Sequence, residues 1–190
     1  MEADLSNSSG VWGHKPLIQI IDHIIEKHHA FCRQEVLRMG TLFKEINAGY
    51  GKDHPELKRI EVLFSGMAKT LLMHLLKEEQ TLFPYIARVE SAVTQNASIS
   101  WPPFGTVGNP IRMMVLEHDQ ANEEIKEIRR LSNGYTPPPG ASDTCVALYG
   151  ALAEFEMDMR EHIRTEDHLL FPRAISMEEE ACAKRKPTVG

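Results

Sequence analysis

The sequence predicts an all-α protein, an up-down-up-down four-helix bundle with an internal pseudo-two-fold, and two observations carry that prediction. Apolar residues recur at three- and four-residue steps through four long segments, and short stretches rich in Gly, Pro, Ser or Asn separate them. An eleven-residue stretch also occurs twice. His74-Leu-Leu-Lys-Glu78-Glu-Gln-Thr-Leu-Phe83-Pro84 returns as His162-Ile-Arg-Thr-Glu166-Asp-His-Leu-Leu-Phe171-Pro172, with His, Glu, Leu, Phe and Pro each 88 positions on. A repeat of that period makes the first pair of helices the counterpart of the second.

In chain order, residues 1–15 read as a flexible N-terminal segment, 16–176 as the bundle and 177–190 as a C-terminal tail. The first helix covers about 16–48 and turns Ile18, Ile21, Ile25, His29, Cys32, Val36, Met39, Phe43 and Ile46 inward; Gly49-Tyr50-Gly51 ends it. His54-Pro55 starts the second, with Pro where a missing N–H costs nothing. Its inward stripe is Leu63, Met67, Leu71, His74, Glu78 and Leu82, and Pro84 predicts a kink or break near residue 80. Residues 93–108 are a long loop. Asn109-Pro110 is the cap and first turn of the third helix, which carries Ile111, Met114, Val115, His118, Ala121, Ile125 and Ile128 inward and stops at Ser132-Asn133-Gly134. Pro137-Pro138-Pro139-Gly140 is a stiff connector to the fourth helix, about 142–176, whose inner side holds Leu148, Leu152, Phe155, Met159, His162, Glu166, Leu169 and Leu170. The chain is expected to fray after Met177.

Composition excludes several classes. A net charge of −6, a pI near 5.8 and interspersed signs leave no electrostatic footprint for nucleic acid. No run approaches the roughly 20 apolar residues of a membrane span, and Met1–Gly13 lacks the basic start and apolar run of a signal peptide. Three scattered cysteines form neither a disulfide framework nor a thiolate zinc site, so a reduced, cytoplasmic protein is expected, with Cys32 a small core thiol.

The repeated His and Glu, four residues apart, differ by about 40° around a helix and about 6 Å along it, so both project into one space. Two such pairs face His29 and His118, which are 89 positions apart on the odd-numbered helices. The constellation is His29, His74, Glu78, His118, His162 and Glu166. Two carboxylates buried in an apolar bundle are costly without a counter-charge, and no Lys or Arg lies on the inward stripes at this level. A divalent metal supplies that charge. Imidazole with carboxylate favours iron, manganese or zinc over calcium or magnesium, and six ligands suit two metals bridged by the carboxylates better than one tetrahedral zinc.

The chain resembles a haemerythrin-like (HHE cation-binding) domain, and more closely the di-iron domain of the Repair of Iron Centres family. The residues that carry the likeness are Ile24-Ile25-Glu-Lys-His28-His29, His74-xxx-Glu78 with Leu82-Phe83-Pro84, Phe104-Gly with Asn109-Pro110 and Glu117-His118-Asp119, Tyr135-Thr-Pro-Pro, and His162-xxx-Glu166 with Leu170-Phe171-Pro172. The resemblance implies two iron ions, oxo- or hydroxo-bridged, with His29, His74, His118 and His162 as terminal ligands and Glu78 and Glu166 as bridges. It implies reaction with dioxygen, nitric oxide or peroxide, and repair or protection of iron–sulfur client proteins under nitrosative or oxidative stress. Oxygen-carrying haemerythrins place a second His four residues on in the third helix, where this chain has Asn122, and their last motif is His-xxxx-Asp, where this chain has Glu166 at the fourth step and Asp167 at the fifth. Family members also carry a small N-terminal cysteine domain, whereas about 15 residues precede the first helix here.

The remaining polar residues are read more plainly. His28 is read as a boundary residue, with a ligand role in place of His29 as the alternative; His14, His23, His54 and His168 are surface or cap residues; Glu79 and Asp167 lie on a solvated face, with a hydrogen bond to a ligand imidazole as the alternative. Glu117 and Asn122 are candidates for lining an access path or steadying a ligand. No catalytic residue is assigned, so a metal-binding stress-response protein is favoured over an enzyme. Two other classes stay open: a carrier or sensor of dioxygen or nitric oxide, and a di-iron peroxidase or nitric-oxide-reducing enzyme.

Overall fold

A computed structural model describes residues 12–49 and 55–183, so the segment 50–54 that holds the expected first turn and His54 lies outside the described residues, as do 1–11 and 184–190. Four long helices pack as the up-down-up-down bundle. Helix α1 runs through Leu17–His23, Ile24–His29 and Ala30–Gly49; α2 through Pro55–Lys77, Glu78–Leu82 and Phe83–Thr94; α3 is Gly108–Leu131; α4 runs through Asp143–Thr165, Glu166–Leu170 and Phe171–Ala183. Helix α1 packs along α4 and α2 along α3, and the C-terminal segments of α2 and α4 lie together.

The middle segments of α1, α2 and α4 are single π-helical turns, and two of them explain the prolines. Pro84 and Pro172 are the second residues of the α-helical segments that follow, where a missing amide hydrogen leaves no bond broken. The kink or break expected near residue 80 takes the form of a widened turn at Glu78–Leu82 within a continuous helix. The π turn of α1 also shifts the apolar stripe. Counting back from His29 in α-helical steps points to Ile25 and Ile18, but the wider turn buries Leu17, Ile20 and Ile24 instead and leaves Ile18 41% exposed.

Local signals set the other ends. Helix α4 is capped by Ser142, whose hydroxyl accepts from the amide of Cys145 at 3.3 Å. Helix α3 ends where Asn133, Gly134 and Tyr135 take φ of 49°, 66° and 64° in succession, the left-handed stop that Asn-Gly favours. Its start departs from expectation: the cap is Val107, and Asn109 bonds back to the Phe104 carbonyl at 2.7 Å. The tail departs too. The last helix continues to Ala183, and Glu178 is buried, accepting from the Tyr85 hydroxyl at 2.5 Å and from the Val107 amide at 3.0 Å.

Two apolar clusters fill the bundle. One holds Cys32, Met39, Phe43, Phe64, Leu71, Leu75, Ile125, Phe155 and Met159; the other holds Ile20, Ile24, Leu82, Phe83, Ile111, Met114, Leu170 and Phe171. Along every helix the six singled-out His and Glu residues fall between the two, in one polar layer. Among the described residues, no helix is long and apolar enough to cross a membrane.

Candidate metal centre

Each member of the layer is placed by its helix. Glu78 opens the π turn of α2 and Glu166 that of α4, each one turn after its His, while His29 closes the π turn of α1 and His118 sits in the unbroken α3. All six are buried, with exposures between 0% and 4%. They form two overlapping groups, His29, Glu78, His162 and Glu166, and His74, Glu78, His118 and Glu166; within each, one nitrogen or oxygen per residue lies within 4.8 Å of the others.

The two carboxylates belong to both groups, and the distances show how. One Glu78 oxygen is 3.4 Å from His74 Nε2 and the other 3.4 Å from His29 Nε2. Glu166 likewise spans its own hairpin, 3.1 Å from His162 Nε2 and 3.1 Å from His118 Nε2. His74 and His118 face each other Nε2 to Nε2 at 3.1 Å.

The outer nitrogens explain why the Nε2 atoms point inward. His29 Nδ1 donates to Glu79 at 2.7 Å, His74 Nδ1 to Glu117 at 2.8 Å and His118 Nδ1 to Asp167 at 2.9 Å. A carboxylate on Nδ1–H fixes the tautomer and raises the basicity of Nε2, as it does for metal-ligating imidazoles in general. Glu79 and Asp167 are thus not merely solvated. Glu79 is shared with Arg33 at 2.8 Å, and Glu117 is held by Lys77. Glu117 accordingly steadies His74, and Asn122 lies half-buried a turn beyond His118. His168 and His14 are exposed as expected, and His23 is half-buried against Trp12 with ring centroids 4.6 Å apart. His28 is a correction, since it is fully buried, its Nδ1 donating to Asp158 at 2.8 Å and its ring stacked on His162. The π turn, which carries both histidines toward the bundle axis, is the cause, and no α-helical wheel shows it.

The electrostatics are those of a centre built for added positive charge. Burial alone pulls the His118 imidazole down, but Asp167 and Glu166 outweigh it and raise its pKa to about 10. Burial is likewise outweighed at His29 and His74, chiefly by Glu78, and both are raised. Glu166 is held well below the usual carboxylate range because His162 and His118 overcome its burial. Even so, His29 Nε2, both Glu78 oxygens and the Glu166 oxygen beside His118 make only these charge contacts and no hydrogen bond of good geometry. Such inward nitrogens and carboxylate oxygens around one space are a donor set that a divalent cation satisfies.

Residues 20–174 match the family described as the Hemerythrin HHE cation binding domain. The chain belongs to the haemerythrin HHE family. Among relatives of this haemerythrin-like chain, the iron–sulfur cluster repair protein YtfE of Yersinia pseudotuberculosis serotype IB (strain PB1/+) is 32% identical over 181 residues, covering 92% of this chain and 76% of that protein. The YtfE protein of Yersinia pseudotuberculosis serotype O:1b (strain IP 31758) is 34% identical over 182 residues, with the same two shares.

A cavity of about 380 Å³ opens beside the layer between α2 and α3. His74, His118, His162 and Glu117 line it together with the apolar Met67, Leu71, Met73, Ala121, Met159 and Ile163, and the polar Lys69, Thr70, Lys77, Gln120 and Glu124 also border it.

Proposed function

We propose that this haemerythrin-like chain holds two iron ions in the His/Glu layer and serves in the repair or protection of iron–sulfur clusters, the role named for its YtfE relatives. The observation that carries the reading is the sharing of Glu78 and Glu166 between two four-residue groups, each completed by its own pair of imidazoles. Bound there, a ferrous pair supplies electrons and open coordination for dioxygen, nitric oxide or peroxide, and iron that can be handed on. The chain's own residues do the rest. Glu79, Glu117 and Asp167 keep Nε2 of three imidazoles turned inward, and the cavity gives small molecules a way to His74, His118 and His162. Buried apolar clusters lie on both sides of the layer.

The test has two parts. Anaerobic reconstitution should give two iron ions per chain and, after oxidation, the near-ultraviolet band of a bridged ferric pair; fewer than two iron ions would end the proposal. The reduced protein is then incubated with an iron–sulfur enzyme damaged by nitric oxide. Recovery of its activity, suppressed by an iron chelator, is the expected result, and recovery no faster than in buffer would remove the repair role.

A further inference from the structure

The pseudo-two-fold is broken at His162. Three of the four inward imidazoles donate Nδ1–H to a carboxylate, but Nδ1 of His162 is buried with no hydrogen-bond partner. The residue that the repeat relates to Glu117, which holds His74, is His28, 89 positions earlier, the spacing that also separates His29 from His118. His28 is fully buried; its ring centroid is 5.3 Å from that of His162, with planes within 1° of parallel. Asp158 takes its Nδ1–H at 2.8 Å, and its Nε2 is left without a partner.

We propose that Asp158 and His28 stand in for the missing carboxylate as positioning residues for His162, and that the His29–His162 half of the centre is therefore the weaker of two cation positions. The inference rests on the two-ion reading above. A carboxylate on the far nitrogen orients a ligand imidazole and makes it a better donor, and losing one typically costs 10- to 100-fold in metal affinity. An imidazole packed in its place orients the ring by contact but brings no negative charge to it. Both ligands of the other half, His74 and His118, have carboxylates. The difference is one of affinity, because the cavity reaches His162 as well as His74 and His118.

Ferrous iron titrated anaerobically into the full chain against a competing chelator reads each step. Two steps separated by roughly tenfold or more are expected. Glu117→Gln should weaken the tighter step and bring the two together. His28→Gln should weaken only the looser step by about tenfold, and Asp158→Asn, which keeps side-chain size, should do the same and carries the test if the His28 variant does not fold. A single step in the parent chain, or a looser step that both variants leave unmoved, would overturn the inference. Fewer than two ions per chain would overturn the two-ion reading, and this inference with it.

Discussion

His29 and Glu79 meet at 2.7 Å across two helices, Nδ1 to Oε1, and Arg33 holds the same oxygen at 2.8 Å. The imidazole thereby has its tautomer set from outside the layer. Glu79→Gln should leave the fold intact yet lower iron affinity by roughly 10- to 100-fold. Asp167→Asn should act alike through His118. Chelator competition measures both, and unchanged affinity would show these contacts to be incidental.

Glu78 serves both stability and binding. Its two oxygens lie 3.4 Å from His29 Nε2 and His74 Nε2 and, against the pull of burial, raise the pKa of both imidazoles. Glu78→Gln removes that charge, so the metal-free variant should be less stable than the parent by about 1–3 kcal/mol near neutral pH. It should also bind fewer ions, since both groups of four lose a member. Denaturant melts with and without iron separate the two effects.

The pH dependence of the metal-free protein follows from His118 and Glu166, two ends of one interaction at 3.1 Å. The His118 pKa rises from an ordinary 6.5 to about 10, so its contribution is complete below 6.5 and is lost as pH climbs toward 10. Glu166 is lowered from 4.5, so its contribution is present above 4.5 and fades as pH falls further. Metal-free stability should peak between those limits and fall by on the order of 5 °C in Tm toward pH 9.5. Iron affinity should move oppositely and rise with pH, because imidazoles must shed protons to bind. Thermal melts and titrations across pH 5–10 check both directions.

Glu178 ties the end of α4 to α2 and to the first turn of α3 through Tyr85 and Val107. Glu178→Ala strands a buried hydroxyl and a helix-cap amide and should cost about 3 kcal/mol, with iron stoichiometry unchanged. Tyr85→Phe should cost less, since the amide keeps its acceptor. Urea melts of the two variants give the comparison.

Much of this was legible in residue spacing. The 88-residue repeat located the helices and the two His/Glu pairs, and the search for a symmetry mate led from His29 to His118. Helical periodicity failed where the helix is not α. The π turn at Ile24–His29 moved the apolar stripe by one residue and buried His28, which a 100° step had put at the boundary. For Glu79 and Asp167 the spacing leaves a hydrogen bond to a ligand imidazole only as the second reading, and Asp158 is hidden altogether, for another reason. A residue beside a ligand looks solvated on its own helix, and only the neighbouring helix shows that an imidazole waits there. The tail carried a readable hint in Glu178-Glu179-Glu180, but which of three glutamates turns inward depends on Tyr85 and Val107, 93 and 71 residues away.

Each group of four draws two residues from the first hairpin and two from the second, joined only through the loop between Thr94 and Gly108. A bound ion is then a cross-link between distant parts of the chain, comparable in reach to a disulfide closing a long loop. Neither hairpin owns a complete site. Ion capture must follow the docking of the hairpins, and ion retention resists their separation, so loading with iron should slow unfolding far more than it speeds folding.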